Sequence, residues 1–237
     1  MARNIILTGG IFHPFAEASR TLAAILGERG IISVVHDDIE QGLRSLRETG
    51  AELLTVYALR WSMTQHGKYA PHRARWAMSL SEEGRAAVVG HLRRGGAVLA
   101  LHTAVICFDD WPEWGDILGA RWKWGQSAHP PYGAVDVRIT VAASPLTAFT
   151  LAFTLRDEVY SNLDFSAAVT PLAQARAART QEKWQPVLWT RDYGGGRVAV
   201  DLLGHDGPAL DAPAHRDIIQ RAALWALGRV GQEMEKP

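Results

Sequence analysis

Sulfur, charge of one sign and long apolar runs are all scarce in this chain, and each shortage removes a class of answers. One cysteine, Cys107, stands among 237 residues, so neither an internal disulfide nor a thiolate metal cluster can form, which suits a reducing compartment. The 25 basic and 25 acidic side chains cancel. Without a basic face, attraction to a phosphate backbone has no source, and nucleic acid is not an expected partner. No stretch approaches the roughly 18 to 20 apolar residues that span a bilayer, and the opening run Ile5-Ile6-Leu7 stops at Thr8-Gly9-Gly10, too soon for a secretory segment. A cytoplasmic protein without a membrane partner is expected. Tryptophan, in contrast, is plentiful. There are nine, and Trp111, Trp114, Trp122 and Trp124 lie within one short stretch.

An apolar content of 47% closes one core, so residues 1–230 read as a single domain and 231–237 as a frayed tail. Short apolar runs alternate with segments of helical period, the pattern of a parallel sheet covered on both sides. Strands are expected at 5–8, 31–35, 52–58, 97–101 and 197–203. Helices are expected at 15–28, from Ser81 to Arg94, at 111–118 and at 214–227, the second marked by Glu82 and Glu83 in its first turn and Arg93 and Arg94 in its last. Residues 60–79, polar and without period, read as a long loop able to act as a lid. The extended runs 135–141, 158–163, 170–175 and 186–190 have little helix between them and predict an antiparallel extension. The Gly194-Gly195-Gly196 step suits a tight hairpin rather than a phosphate cradle, because a strand follows it.

In an open parallel sheet, ligands bind outside the carboxyl ends of the strands. His13, His102 and His205 each follow a strand at that edge, as does Arg60. His36 also ends a strand, where it reads as a turn residue. His102, in Leu101-His102-Thr103-Ala104, occupies a sharp strand-to-turn elbow, where an imidazole serves as base, oxyanion partner or metal ligand. Cys107 reads as core. Glu158, pointing opposite Val159, offers a carboxylate if its face looks into the crevice, and Asp206 either orients a ring or caps a turn. Trp61, Trp122 and Trp124 offer flat apolar faces on which a sugar ring stacks. His129 follows that aromatic segment.

Read together in order, these blocks resemble the trehalose-utilisation ThuA-like family, a branch of the class I glutamine amidotransferase-like superfamily. The blocks are Thr8-Gly9-Gly10 with His13-Pro14-Phe15, Leu59-Arg60-Trp61, Leu101-His102-Thr103-Ala104, Phe108-Asp109-Asp110-Trp111-Pro112-Glu113-Trp114, His129-Pro130, Asp157-Glu158-Val159-Tyr160, Tyr193-Gly194-Gly195-Gly196-Arg197-Val198 and Leu203-Gly204-His205-Asp206. The resemblance implies a flavodoxin-like three-layer α/β sandwich and a role in disaccharide metabolism, with 3-keto sugars as a substrate class. It does not carry over glutaminase chemistry, since His102 stands where the nucleophilic cysteine belongs and Gly207 where the triad glutamate belongs.

The expected active residues are therefore His102, His205, Asp206 and Glu158, with His13, Arg60, Trp61, Trp122, Trp124 and His129 binding substrate. A divalent metal such as zinc on His13, His102, His129 and His205 is a variant of the same reading. The rival reading is a non-catalytic carbohydrate- or partner-binding module on the same fold. A homo-oligomer is compatible with both.

Overall fold

The computed structural model describes residues 1–166, 169–180 and 182–230; the expected frayed tail at 231–237 lies outside them. Among the described residues, eleven strands and seven helices follow one another. The strands are β1 Ala2–Gly10, β2 Ile31–His36, β3 Leu53–Leu59, β4 Ala97–Leu101, β5 Ala120–Arg121, β6 Gly133–Ile139, β7 Phe153–Asp157, β8 Asp164–Phe165, β9 Ala173–Ala177, β10 Gln185–Tyr193 and β11 Gly196–Asp201. The helices are α1 Phe15–Gly27, α2 Ile39–Thr49, α3 Ala70–Trp76, α4 Glu82–Arg93, α5 Pro112–Leu118, α6 Gly207–Asp211 and α7 Pro213–Ala226.

Nine strands form one sheet in the order β2-β1-β3-β4-β11-β10-β9-β6-β7. The first five are mutually parallel, and the rest join antiparallel. Strands β3 and β4 are buried at every position, as expected of apolar runs covered on both faces. Helix α1 packs on α6 and α7, and α2 packs on α4, giving three layers. The chain leaves β1 toward β2 on one side and returns to β3 on the other, so the β1/β3 boundary is a topological switch point.

Local chemistry fixes the ends of these elements. Ser81 caps α4 by accepting from Gly84 N at 3.0 Å, as its sequence predicts. The hairpin between β10 and β11 turns on Gly194 and Gly195, whose φ of +61° and +98° suit a primed turn. Helix α2 is an element the hydrophobic pattern carries but the sequence reading passed over. Asp38 caps it through Gln41 N at 2.9 Å, Ile39, Leu43 and Leu46 are buried, and Gly50 ends it in the left-handed conformation.

Two expectations need correction. Residues 60–79 are not a structureless loop, because Gly67–Tyr69 form a 3₁₀ turn and α3 follows. Trp61 and Tyr69 bury their rings and meet edge to face at 5.1 Å, which supplies the apolar anchor that periodicity could not reveal. The predicted run 158–163 is likewise not a strand, because β7 ends at Asp157. No helix among the described residues is long and apolar enough to cross a membrane.

Candidate functional site

The elbow after β4 is held by its own backbone and by the strand beside it. His102 adopts φ +48° and opens a 3₁₀ turn over His102–Ile106. Thr103 Oγ1 and Cys107 Sγ both donate to Ala58 O, at 2.6 and 3.0 Å, and Trp114 Nε1 donates to Ala104 O at 2.9 Å. Burial pushes the Cys107 thiol up to about 12, so this sulfur is a core atom and not a nucleophile.

Three loops from the parallel strands and one segment from the antiparallel half meet above this elbow. His13 follows β1, His102 follows β4 and His205 follows β11. The chain leaving β7 crosses back to bring Glu158 and Tyr160 to the same place. His13 Nε2 and His102 Nε2 are 3.0 Å apart. Glu158 Oε2 lies 3.9 Å from the first, 3.8 Å from the second and 3.5 Å from His205 Nδ1. One ligand atom from each of these four residues falls within 4.8 Å of every other.

Hydrogen bonds behind the rings decide what faces inward. His102 Nδ1 lies 3.0 Å from Leu202 O and His13 Nδ1 lies 3.2 Å from Ile11 O. Both contacts require the proton on Nδ1, which leaves both Nε2 atoms as bare lone pairs. Burial, together with the neighbouring imidazoles, lowers His13 to about 4 and holds His102 well below the usual histidine range, so neither ring carries a second proton at neutral pH. Two lone pairs facing at this distance repel unless a proton or a cation lies between them. The Tyr160 hydroxyl, 3.1 Å from His102 Nε2, is one donor within reach. His205 Nδ1 is buried and has no hydrogen-bond partner among the described residues.

Electrostatics in the cluster follow from the carboxylate. Burial favours neutral Glu158, yet the approach of the His205 ring, together with the charges of His129 and His205, outweighs it and holds the carboxyl below its ordinary value. For His205 burial opposes charge, but the adjoining Glu158, Asp157 and Asp206 raise it above the usual range. Asp157, 1% exposed, accepts from Glu158 N at 2.8 Å and Gly204 N at 2.7 Å. It thereby ties the Glu158 segment to the loop that carries His205. Burial raises its carboxyl to about 7, the two N–H groups opposing that shift.

Beside the cluster a cavity of about 310 Å³ is lined by His13, Glu158, Trp61, Tyr69, Trp122 and Trp124, among others. Trp61 and Trp124 stack with ring centroids 5.8 Å apart, and Trp122 meets Tyr160 edge-on at 5.4 Å. Trp61 is itself 1% exposed, so it backs the wall, while the half-buried Trp122 and Trp124 present more surface.

The structure brings some expected residues together and sets others apart. His13, His102, His205 and Glu158 converge. His129 does not join the ligand group assigned to it, because its side chain is 39% exposed and its Nδ1 stands 3.5 Å from the outer oxygen of Glu158. Glu158 completes the group of four close atoms instead. Asp206 caps α6, with Oδ1 accepting from Ala209 N and Oδ2 accepting from Tyr132 Oη, both at 2.8 Å. Arg60 is corrected as well. Its guanidinium turns out of the cavity, to Asp37 O at 3.3 Å and over the Trp76 ring. Tyr160 and Asp157 were missed, although two-residue alternation from Glu158 would have pointed Tyr160 to the same side.

Comparison with known proteins agrees with this architecture. A sequence model of the ThuA family, described as trehalose utilisation, matches residues 34–226. Among solved structures, a ThuA-like protein from Parabacteroides merdae superposes with a TM-score of 0.75 at 19% identity, over 98% of this chain and 92% of its own. A ThuA-like protein from Bacteroides uniformis gives 0.67 at 13% identity, over 98% and 93%. A cytoplasmic protein from Salmonella typhimurium gives 0.62 at 10% identity, over 95% and 99%. Among curated proteins nothing matches. The chain belongs to the ThuA, or trehalose utilisation, family.

Proposed function

We propose that this chain is a sugar-processing enzyme whose site holds a divalent metal of the zinc type on His13, His102, His205 and Glu158. The observation that carries the reading is the pair of Nε2 lone pairs 3.0 Å apart, each fixed inward by a carbonyl behind its ring. Three imidazoles and one carboxylate are a donor set suited to zinc and its neighbours, and the backing carbonyls orient the imidazoles as metal-binding histidines require. When bound, such an ion polarises a carbonyl or lowers the pKa of water.

The protein's own groups divide the remaining work. The indoles of Trp122 and Trp124 take the apolar face of a pyranose. Tyr160, whose burial keeps its hydroxyl protonated far above neutral pH, donates to an oxygen that gains negative charge. His129, half in solvent beside Glu158, passes a proton between substrate and water. The substrate class we infer is a disaccharide or its 3-keto form. In the 3-keto sugar a base takes the C2 proton, the electron pair of that C–H bond forms a double bond between C2 and C1, and the glycosidic C1–O bond breaks with its electrons on the departing oxygen, which takes a proton from an acid.

The test joins elemental analysis of protein purified without added metal to a screen of native and 3-keto disaccharides. The expected result is about one zinc-type ion per chain, turnover of one substrate class, and loss of both in His102→Ala. Turnover by His102→Ala equal to the parent would overturn the reading. Binding of sugar without turnover in either protein would favour a carbohydrate-binding module.

A further inference from the structure

A second cavity, of about 540 Å³, lies at the opposite end of the sheet, enclosed by the start of β11, the last turns of α7 and the loop around Phe149. Arg197 stands second in β11, six residues before Leu203, so it lies roughly 20 Å along the strand direction from the histidine cluster. The wall carries Arg29, Arg197, Arg221 and Arg229 against one carboxylate, Asp217. Three of these arginines have partners: Arg29 Nε donates to Gln220 Oε1 at 2.9 Å, Arg221 pairs with Asp217 at 2.8 Å, and Arg229 reaches Glu52 at 3.6 Å.

Arg197 differs. Its guanidinium lies over the Trp225 ring, 5.9 Å from the centroid, and among the described residues it has no hydrogen-bond or ion-pair partner. The backbone makes room for it. Gly228 adopts φ +71°, and a Cβ there would overlap the Arg197 Nη2 atom, so a larger residue would push the guanidinium aside. A half-buried arginine that is braced on an indole and carries no counter-charge is arranged to take an anion through two parallel N–H groups. The rest of the wall, including Leu224 and the 88% exposed Phe149, is apolar and calls for a ligand with a compact ring body. The volume falls within the roughly 300 to 1,000 Å³ of small-molecule sites.

We propose that this cavity is a second ligand site that takes a small organic phosphomonoester, its phosphate on Arg197 and its ring against Trp225. The site is independent of the histidine cluster and does not rest on the sugar reading. The test is calorimetric titration of the full chain with phenyl phosphate, with inorganic phosphate and phenol as the two halves of the probe. Saturable one-to-one binding of phenyl phosphate is expected, weakened about tenfold or more in Arg197→Gln and partly restored in Arg197→Lys. Each half-probe binds more weakly than the whole, and His102→Ala leaves the affinity unchanged. Circular dichroism of the Arg197 variants checks that they fold. Absence of saturation below ~10 mM, or equal affinity in wild type and Arg197→Gln, would overturn the proposal. So would loss of binding in His102→Ala, which would place the probe at the histidine cluster.

Discussion

The parallel and antiparallel halves of the sheet contribute to the cluster by different means. Strands β1, β4 and β11 run the same way, so residues just past their ends arrive at one edge without further instruction. His13, His102 and His205 reach the site by that rule alone. Glu158 and Tyr160 come from the far strand of the antiparallel half, and they reach it because the chain beyond β7 returns and is pinned there. Asp157 does the pinning, with one oxygen on Glu158 N and the other on Gly204 N. Parallel topology delivers imidazoles generically, whereas the carboxylate is delivered by one buried side chain.

That contrast can be broken most sharply at the carboxylate. Glu158→Gln keeps the shape but removes the negative charge, and cobalt(II) affinity is expected to fall on the order of 100-fold or more; titration of the visible cobalt absorption reads this directly. An unchanged affinity would show that the imidazoles suffice and that the antiparallel half is dispensable. Next in size, Asp157→Asn leaves one buried N–H opposed to an amide donor and is expected to cost about 2 kcal/mol in urea unfolding. Asp136→Asn, on the half-exposed face of β6, should change stability by less than about 0.5 kcal/mol.

A pH series separates the two contributions further. His205 is held above its ordinary value, so a cation must displace its proton. His13 and His102, lowered by burial, have already lost theirs at neutral pH. Cobalt affinity should therefore climb with pH through and above the ordinary histidine range near 6.5, by up to about tenfold per unit for one proton. A flat profile would remove His205 from the donor set. A smaller effect on binding is expected in the cavity, where Trp124→Ala should weaken sugar binding several-fold, about 1 kcal/mol, and leave cobalt affinity unchanged. If both fall together, the indole supports the cluster rather than the sugar.

These contrasts also explain what could be read from the sequence. Strand β4, helix α4 and helix α7 carry their signals locally, in apolar runs, a serine cap and terminal charges, and they lie where those signals put them. The three histidines were legible because a strand end is a local feature. The arrival of Glu158, closer than His129 to the three imidazoles, was not legible, since it depends on where a segment lands after four antiparallel pairings. Arg60 misled for a related reason. Its backbone leaves β3 at the expected edge, but the side chain finds Trp76 and the Asp37 carbonyl, contacts made by elements the sequence reading had not placed. Asp206 shows the ambiguity of an aspartate before Gly-Pro, resolved here by the orphan amide of α6.

The left-handed backbone at His102 carries a consequence for how this chain evolves. A residue with a β-carbon at φ +48° costs about 1 kcal/mol relative to glycine, but the fully buried ring and its Nδ1 contact with Leu202 O outweigh that cost, because glycine would leave a cavity behind the elbow and remove the contact. A laboratory population propagated under heat, with no demand on turnover, should therefore keep the ring or exchange it for a side chain of similar volume. Drift to glycine at this codon would mean that the ring adds nothing to the scaffold.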